Sequence, residues 1–155
     1  MALVIAAAVP AAGVAQQVAP LPLRQWELRA DGIFGSSSAG HLGAGVNVPA
    51  GDYTRVGVVV ASGPARRLGR TEASARADFV ARYLLYPFGE MRWGLYAGGG
   101  FTTVYQGASR LHGYLLAEVG VEGPPRGGWR PAFELALGGG FRAGVVLRRA
   151  RSNAR

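Results

Sequence analysis

The sequence predicts an all-β protein, an eight-stranded antiparallel up-and-down barrel, on three observations. The first is alternation: Ala73, Ala75, Ala77, Phe79, Ala81, Tyr83 and Leu85 interleave with Glu72, Ser74, Arg76, Asp78 and Arg82. A period of two puts the charges on one face of a pleated strand and leaves the other face without any. The second is repetition, since eight such segments follow one another and nothing between them carries a helical period. The third is composition: 25 glycines, 9 prolines and no cysteine in 155 residues. That mixture suits a single sheet domain with many tight turns, and it excludes a disulfide framework or a cysteine metal site.

The strands follow in order. Gln25 to Ile33 sets Trp26, Leu28 and Ala30 against Glu27, Arg29 and Asp31. His41 to Val48 sets Leu42, Ala44, Val46 and Val48 against His41, Gly43, Gly45 and Asn47. Tyr53 to Ala61 alternates Val56, Val58 and Val60 with Arg55, Gly57 and Val59. Arg70 to Leu85 is the longest element, and about sixteen residues at ~3.3 Å each make it roughly 50 Å long. Met91 to Tyr105 opposes Trp93, Leu95, Ala97, Phe101, Thr103 and Tyr105 to Arg92, Gly94, Tyr96, Gly98, Gly100 and Thr102. Arg110 to Glu122 opposes Leu111, Leu115, Ala117, Val119 and Val121 to His112, Tyr114, Glu118 and Glu122. Arg130 to Leu137 and Phe141 to Arg148 place Phe133, Leu135, Val145 and Leu147 opposite Glu134, Arg142 and Arg148. Between the last two, Gly138 to Gly140 reads either as a hairpin or as a kink in one long strand.

The flanks divide the chain further. Residues 1–15, MALVIAAAVPAAGVA, are apolar and uncharged and end in small residues, the pattern of a secretory signal peptide and too short for a spanning helix. Residues 16–24, with Pro20 and Pro22, read as an extended lead-in. The barrel occupies 25–148, and 149–155 form a basic tail.

The direction each face points decides the class. A soluble barrel buries its uncharged face, whereas a barrel in a membrane turns that face to lipid and its charges to the lumen. Three features favour the transmembrane arrangement. Trp26, Tyr53, Tyr83, Tyr86, Phe88, Trp93 and Trp129 gather at one set of strand ends, as an interfacial aromatic girdle does. Small residues such as Gly43, Gly57, Ser74, Gly98 and Gly120 dilute the charged face, which leaves room for arginines and acids inside a narrow tube. The uncharged face of the fourth strand carries no arginine, which at the bilayer midplane costs about 2 to 4 kcal/mol. The links also alternate: polar or basic loops at 35–40, 62–70 and 105–109, and proline- and glycine-rich turns at 49–52, 87–90 and 123–128.

In its alternation, glycine-rich strands, aromatic girdle and even strand number, the segment 25–148 resembles the small eight-stranded outer-membrane proteins of the OmpA-barrel, OmpX or OmpW type. The resemblance implies a bacterial outer-membrane location, a monomer in outer-membrane lipid, and insertion by the barrel-assembly machinery. It also implies a C-terminal assembly signal, for which Phe141 to Leu147 is the candidate; the chain runs on into RRARSNAR instead of closing on an aromatic. An exported soluble barrel that binds a small apolar ligand, as lipocalins do, is the alternative.

The candidate site is the lumen. Its expected members are Glu27, Arg29, Asp31, Arg55, Glu72, Arg76, Asp78, Arg82, Arg92, Glu118, Glu122, Arg130, Glu134 and Arg142. Facing charges in a weakly solvated interior are expected to pair, and eight strands leave room for little beyond side chains. Structural filling is therefore the expected role, ahead of a gated pore or a ligand site. The net charge of +8 comes from seventeen basic residues, all arginine, spread over many strands without a clustered patch, which argues against nucleic-acid binding. No cofactor or metal is expected, with two well-separated histidines and no cysteine. Ser109 beside His112 invites a lipid-modifying hydrolase, but no spacing secures a base and an orienting acid, so no catalytic residue is assigned.

Overall fold

The computed structural model describes residues 24–85, 92–107 and 110–150. The apolar segment 1–15, the lead-in up to residue 23, Tyr86, Phe88, Ser109 and the tail beyond 150 lie outside the described residues. Eight strands run in chain order: β1 (Gln25–Phe34), β2 (Ser38–Pro49), β3 (Thr54–Arg67), β4 (Arg70–Leu84), β5 (Gly94–Gln106), β6 (Arg110–Glu122), β7 (Trp129–Leu137) and β8 (Phe141–Ala150). Each pairs antiparallel with the next, and β8 returns to β1 along a ladder from Gln25↔Ala150 to Phe34↔Phe141, so the sheet closes into a barrel; β6 runs on beyond the shorter β7, whose ladder with it spans Ala117 to Glu122.

The register fixes the shape of the tube. From Glu122, successive partners are Ala132, Val146, Arg29, Gly43, Ala61, Arg76 and Val104, and the circuit returns to β6 at His112, ten residues from its start. A stagger of ten over eight strands, with ~3.3 Å per residue and ~4.8 Å between strands, gives a tilt of about 40° and a radius of about 8 Å. Such an interior is filled by side chains alone.

Both described ends of the chain lie at one end of the barrel, here called the terminal end; the other is the hairpin end. The links differ from the expectation. Residues 62–67 continue β3 instead of forming a basic loop, and the β3–β4 connection is a two-residue turn, Leu68–Gly69. The reason is that alternation persists there: Ala65 is buried inside while Ser62, Pro64 and Arg66 face out. The longer links, 50–53 and 123–128, fall instead at the terminal end. Gly138 to Gly140 form a hairpin, with Gly139 and Gly140 at positive φ and Leu137 paired to Phe141.

Leu68 has φ 48° and Gly69 φ 79°. Positive φ at both central positions is the type I′ pattern, which favours Asn-Gly, and the left-handed conformation is costly for leucine. Leu68 is 95% exposed, so it gains no packing in return. Leu68→Asn is expected to stabilise the folded barrel by about 1 kcal/mol, read as a shift in urea unfolding midpoint.

The faces are inverted relative to a soluble protein. Glu27, Arg29, Asp31, Arg76, Asp78, Arg82 and Arg148 are buried, while Leu28, Leu42, Val58, Phe79, Leu115 and Val145 are exposed, Leu115 by 76%. Burying charge and exposing contiguous apolar surface destabilises a chain in water and is favourable only against lipid. Trp26, Tyr53, Tyr83 and Trp93 are exposed near the terminal end, and Tyr53 stacks on Tyr83 at 5.8 Å. Phe34, Tyr105, Tyr114 and Phe141 are exposed towards the hairpin end, so aromatics stand at both ends instead of one. Trp93 and Tyr105 are about twelve residues apart, or roughly 30 Å in height at a tilt of about 40°, close to an apolar band of ~25 Å with its girdles.

Candidate functional site

The lumen holds one continuous ionic network. On β1, Glu27, Arg29 and Asp31 all point inward because they share a parity, and the same rule delivers Arg76, Asp78 and Arg82 from β4 and Glu118 and Glu122 from β6. The described hairpin-end members are centred on two aspartates. Arg29 Nε donates to Asp31 at 2.8 Å and Arg76 Nη2 to the same carboxylate at 2.5 Å. Arg76 Nε reaches Asp78 at 3.1 Å, Arg142 Nη1 reaches it at 2.9 Å, and the Thr102 hydroxyl donates to it at 2.6 Å.

Nearer the terminal end the network is denser. Arg148 donates to Glu27 at 3.1 Å and to Glu122 at 2.7 Å, pairs with Glu134, and lies 4.9 Å above the Tyr96 ring centroid. Tyr96 donates its hydroxyl to Glu134 at 2.6 Å and accepts from Arg148 at 3.1 Å. Arg82 Nε donates to Glu118 at 2.5 Å and its Nη1 to Asn47 Oδ1, whose amide in turn donates to Glu27 at 2.8 Å. Arg29 Nη2 reaches Glu134 at 2.7 Å and so ties the two halves together. Each carboxylate has at least one guanidinium partner, the condition for keeping charge in a weakly solvated interior.

Arg82 and Arg148 are each 1% exposed, so a water molecule reaches almost none of their surface. Val59, Val80, Leu116, Ala136 and Val146 fill lumen volume beside the charges. Close approach requires glycine at two points: a Cβ at Gly120 would enter the Tyr96 ring, and one at Gly57 would meet Asn47 and Arg82. Gly120→Val is therefore expected to displace Tyr96 and destabilise the barrel by about 1 to 3 kcal/mol, measured by urea titration.

Of the fourteen expected lumen residues, Glu27, Arg29, Asp31, Arg76, Asp78, Arg82, Glu118, Glu122, Glu134 and Arg142 are buried in this network. Arg55 and Arg130 sit nearer its terminal rim and both pair with Glu122, at 2.7 and 3.2 Å. Two do not join. Arg92 is exposed ahead of β5, which starts at Gly94, so the alternation had been extended past the strand. Glu72 is half-buried near Gly107, where β4 runs on beyond Ser74, the last β4 residue in the ladder with β5. Among the described residues neither forms an ion pair.

Arg148, Tyr96, Asn47 and Thr102 are network members that sequence reading left out. Arg148 shares the inward parity of Arg142 on β8, so the alternation itself marks it. Of the girdle positions, Trp26, Tyr53, Tyr83 and Trp93 are exposed and Trp129 is half-exposed with Arg149 5.5 Å from its ring. His112 is exposed on β6 and His41 is buried in the lumen. No cluster of acids and histidines among the described residues is arranged to hold a metal ion.

A closed eight-stranded meander with stagger ten, apolar outside and ionic inside, is a barrel of the small outer-membrane type. No protein-family model and no curated protein sequence matches the chain. Among solved structures it is similar to the N-terminal β-barrel domain of OprF from Pseudomonas aeruginosa, with TM-score 0.60 and 12% identity over 81% of this chain and 96% of that one. It also aligns with the translocator domain of the autotransporter NalP from Neisseria meningitidis over 87% of this chain and 90% of the other, at 8% identity and TM-score 0.39, too low to bear on strand arrangement.

Proposed function

We propose that the chain is a monomeric bacterial outer-membrane barrel with a structural or interaction role, sealed by its ionic lumen and taking no part in catalysis. The observation that carries the reading is the inversion of its faces: a charged, packed interior inside a wall of Leu28, Val58, Phe79, Leu115 and Val145. A lipocalin-like ligand protein would need the reverse, an apolar cavity within and polar side chains without. On this reading the protein is exported by its N-terminal segment, is inserted by the barrel-assembly machinery, and stands with its terminal end towards the periplasm. It needs no cofactor, and its seventeen arginines serve the lumen and the two headgroup regions, not nucleic acid.

The test is electrical. The protein refolded in detergent and added to a planar bilayer is expected to insert without producing regular conductance steps, because buried ion pairs occupy the lumen. Reproducible single-channel steps would instead make it a pore. Insertion is checked separately by the faster gel migration of the unboiled sample.

A further inference from the structure

We infer that the hairpin-end half of the lumen binds one small monovalent anion, of the halide class, on the side chains of Arg76, Arg142 and His41. The inference rests on the sealed ionic lumen proposed above. Strand parity delivers the three side chains inward from β4, β8 and β2, and each residue is no more than 4% exposed. Arg76 and Arg142 flank one carboxylate, reaching Asp78 Oδ2 at 3.1 and 2.9 Å. His41 lies directly across the β1–β2 ladder from Asp31, and Asp31 accepts from Arg76 at 2.5 Å. The three residues therefore gather round the same two aspartates, and the charges that act on the imidazole are those of Arg76, Asp31, Asp78 and Arg142.

This cluster offers more donors than the protein has acceptors for. Nη1 of Arg76, Nε and Nη2 of Arg142 and both ring nitrogens of His41 are buried without a hydrogen-bond partner among the described residues. Glu118 Oε2, also unpartnered, stands 3.7 Å from Arg142 Nη2, beyond hydrogen-bonding reach. Arg29 is different, with Nε, Nη1 and Nη2 all placed on carboxylates. Buried donors left unmade are costly, which favours an acceptor among them. Charge decides which acceptor. Nearer the terminal end, Arg55, Arg82, Arg130 and Arg148 balance Glu27, Glu118, Glu122 and Glu134, four against four. In the hairpin-end half, Arg29, Arg76 and Arg142 face only Asp31 and Asp78, so one positive charge is left over where solvent scarcely reaches. A water molecule would satisfy donors and leave that charge, whereas one monovalent anion does both. The interior is otherwise filled by side chains, which restricts the ion to a small one.

The test is chloride-dependent stability. Protein refolded in detergent, its folding confirmed by heat-dependent gel mobility, is unfolded by urea at fixed sodium while chloride replaces gluconate, an anion too large for the site. The folded-to-unfolded ratio should rise in proportion to one plus the ratio of chloride to its Kd, about tenfold when chloride is ten times Kd. H41L removes a ring that makes no hydrogen bond among the described residues; it should be as stable as the parent in gluconate and lose the chloride response, while H41Q, which keeps a donor, should retain part of it. Screening by salt would move parent and H41L alike. In crystals soaked in bromide, an anomalous peak is expected in contact with Arg76 and Arg142. Equal stability in chloride and gluconate, the result of a lumen that holds water alone, would overturn the inference. So would an undiminished chloride response in H41L, or bromide confined to exterior arginines. If H41L does not fold, the parent's chloride response and the bromide peak decide. Regular conductance steps in a planar bilayer would remove the sealed lumen beneath the inference, whereas a missing chloride response in folded, non-conducting protein falls on the anion alone.

Discussion

Replacing Arg148 by leucine is expected to destabilise the folded protein by about 3 to 5 kcal/mol, the usual consequence of removing one partner from a buried ion pair. The loss is large because one guanidinium serves three carboxylates, Glu27, Glu122 and Glu134. Two of these keep other partners: Glu27 retains Arg29 and Glu134 retains Arg29 and the Tyr96 hydroxyl. Glu122 is left to Arg55 and Arg130 at the more hydrated rim. Carboxylate oxygens that accepted from Arg148 then lose their donor where water scarcely reaches, and leucine cannot replace it. Arg148→Lys should recover only part of the loss, since a point charge cannot reproduce a planar fork directed at several oxygens. Urea unfolding of the refolded variants in lipid vesicles measures both effects.

An arginine placed on the outer wall is the second large effect. Val58 is half-exposed near mid-strand, in the row Val46, Val58, Phe79, Phe101 and Leu115. In a bilayer, Val58→Arg is expected to cost about 2 to 4 kcal/mol, because the guanidinium lies far from either headgroup region. In a soluble barrel the same exposed position would tolerate arginine within about 0.5 kcal/mol. The sign and size of this one change thus separate the two classes, and a parallel substitution nearer the girdle should cost about 0 to 1 kcal/mol.

Much of this was legible in the chain because a strand with one wet face and one dry face writes its period directly into the sequence. β6 and the start of β4 fall where the alternation places them, and the inward parity of Glu27, Asp31, Asp78 and Glu134 follows from counting by twos. The misplacements occur where a local signal competes with that period. Gly63, Pro64, Arg66 and Arg67 have the composition of a loop, yet the two-residue turn at Leu68–Gly69 lets β3 and β4 extend to it. Arg148 stands on the charged face by alternation but at the expected end of its strand; β8 continues to Ala150, and Arg148 is buried in the lumen. Arg92 shows the opposite error, a parity carried past the beginning of its strand. The stagger of ten lies in pairings between distant strands, and no single segment encodes it. For the same reason the bond from Tyr96 to Glu134, across 38 positions, was beyond reach even though each residue's face was readable.

The orientation of the wall is tested most directly on β4, and the absence of cysteine from the chain makes the measurement clean. Single cysteines introduced from Ala73 to Leu84 and spin-labelled in lipid vesicles report collisions with oxygen, which concentrates in lipid, and with a water-soluble nickel chelate. Labels at Ala75, Ala77, Phe79, Ala81 and Tyr83 should collide with oxygen and be shielded from nickel, while labels at Ser74 and Val80 should be protected from both, giving an oscillation of period two. High nickel collision at Ala77 and Phe79 would put that face in water and contradict the membrane-spanning barrel.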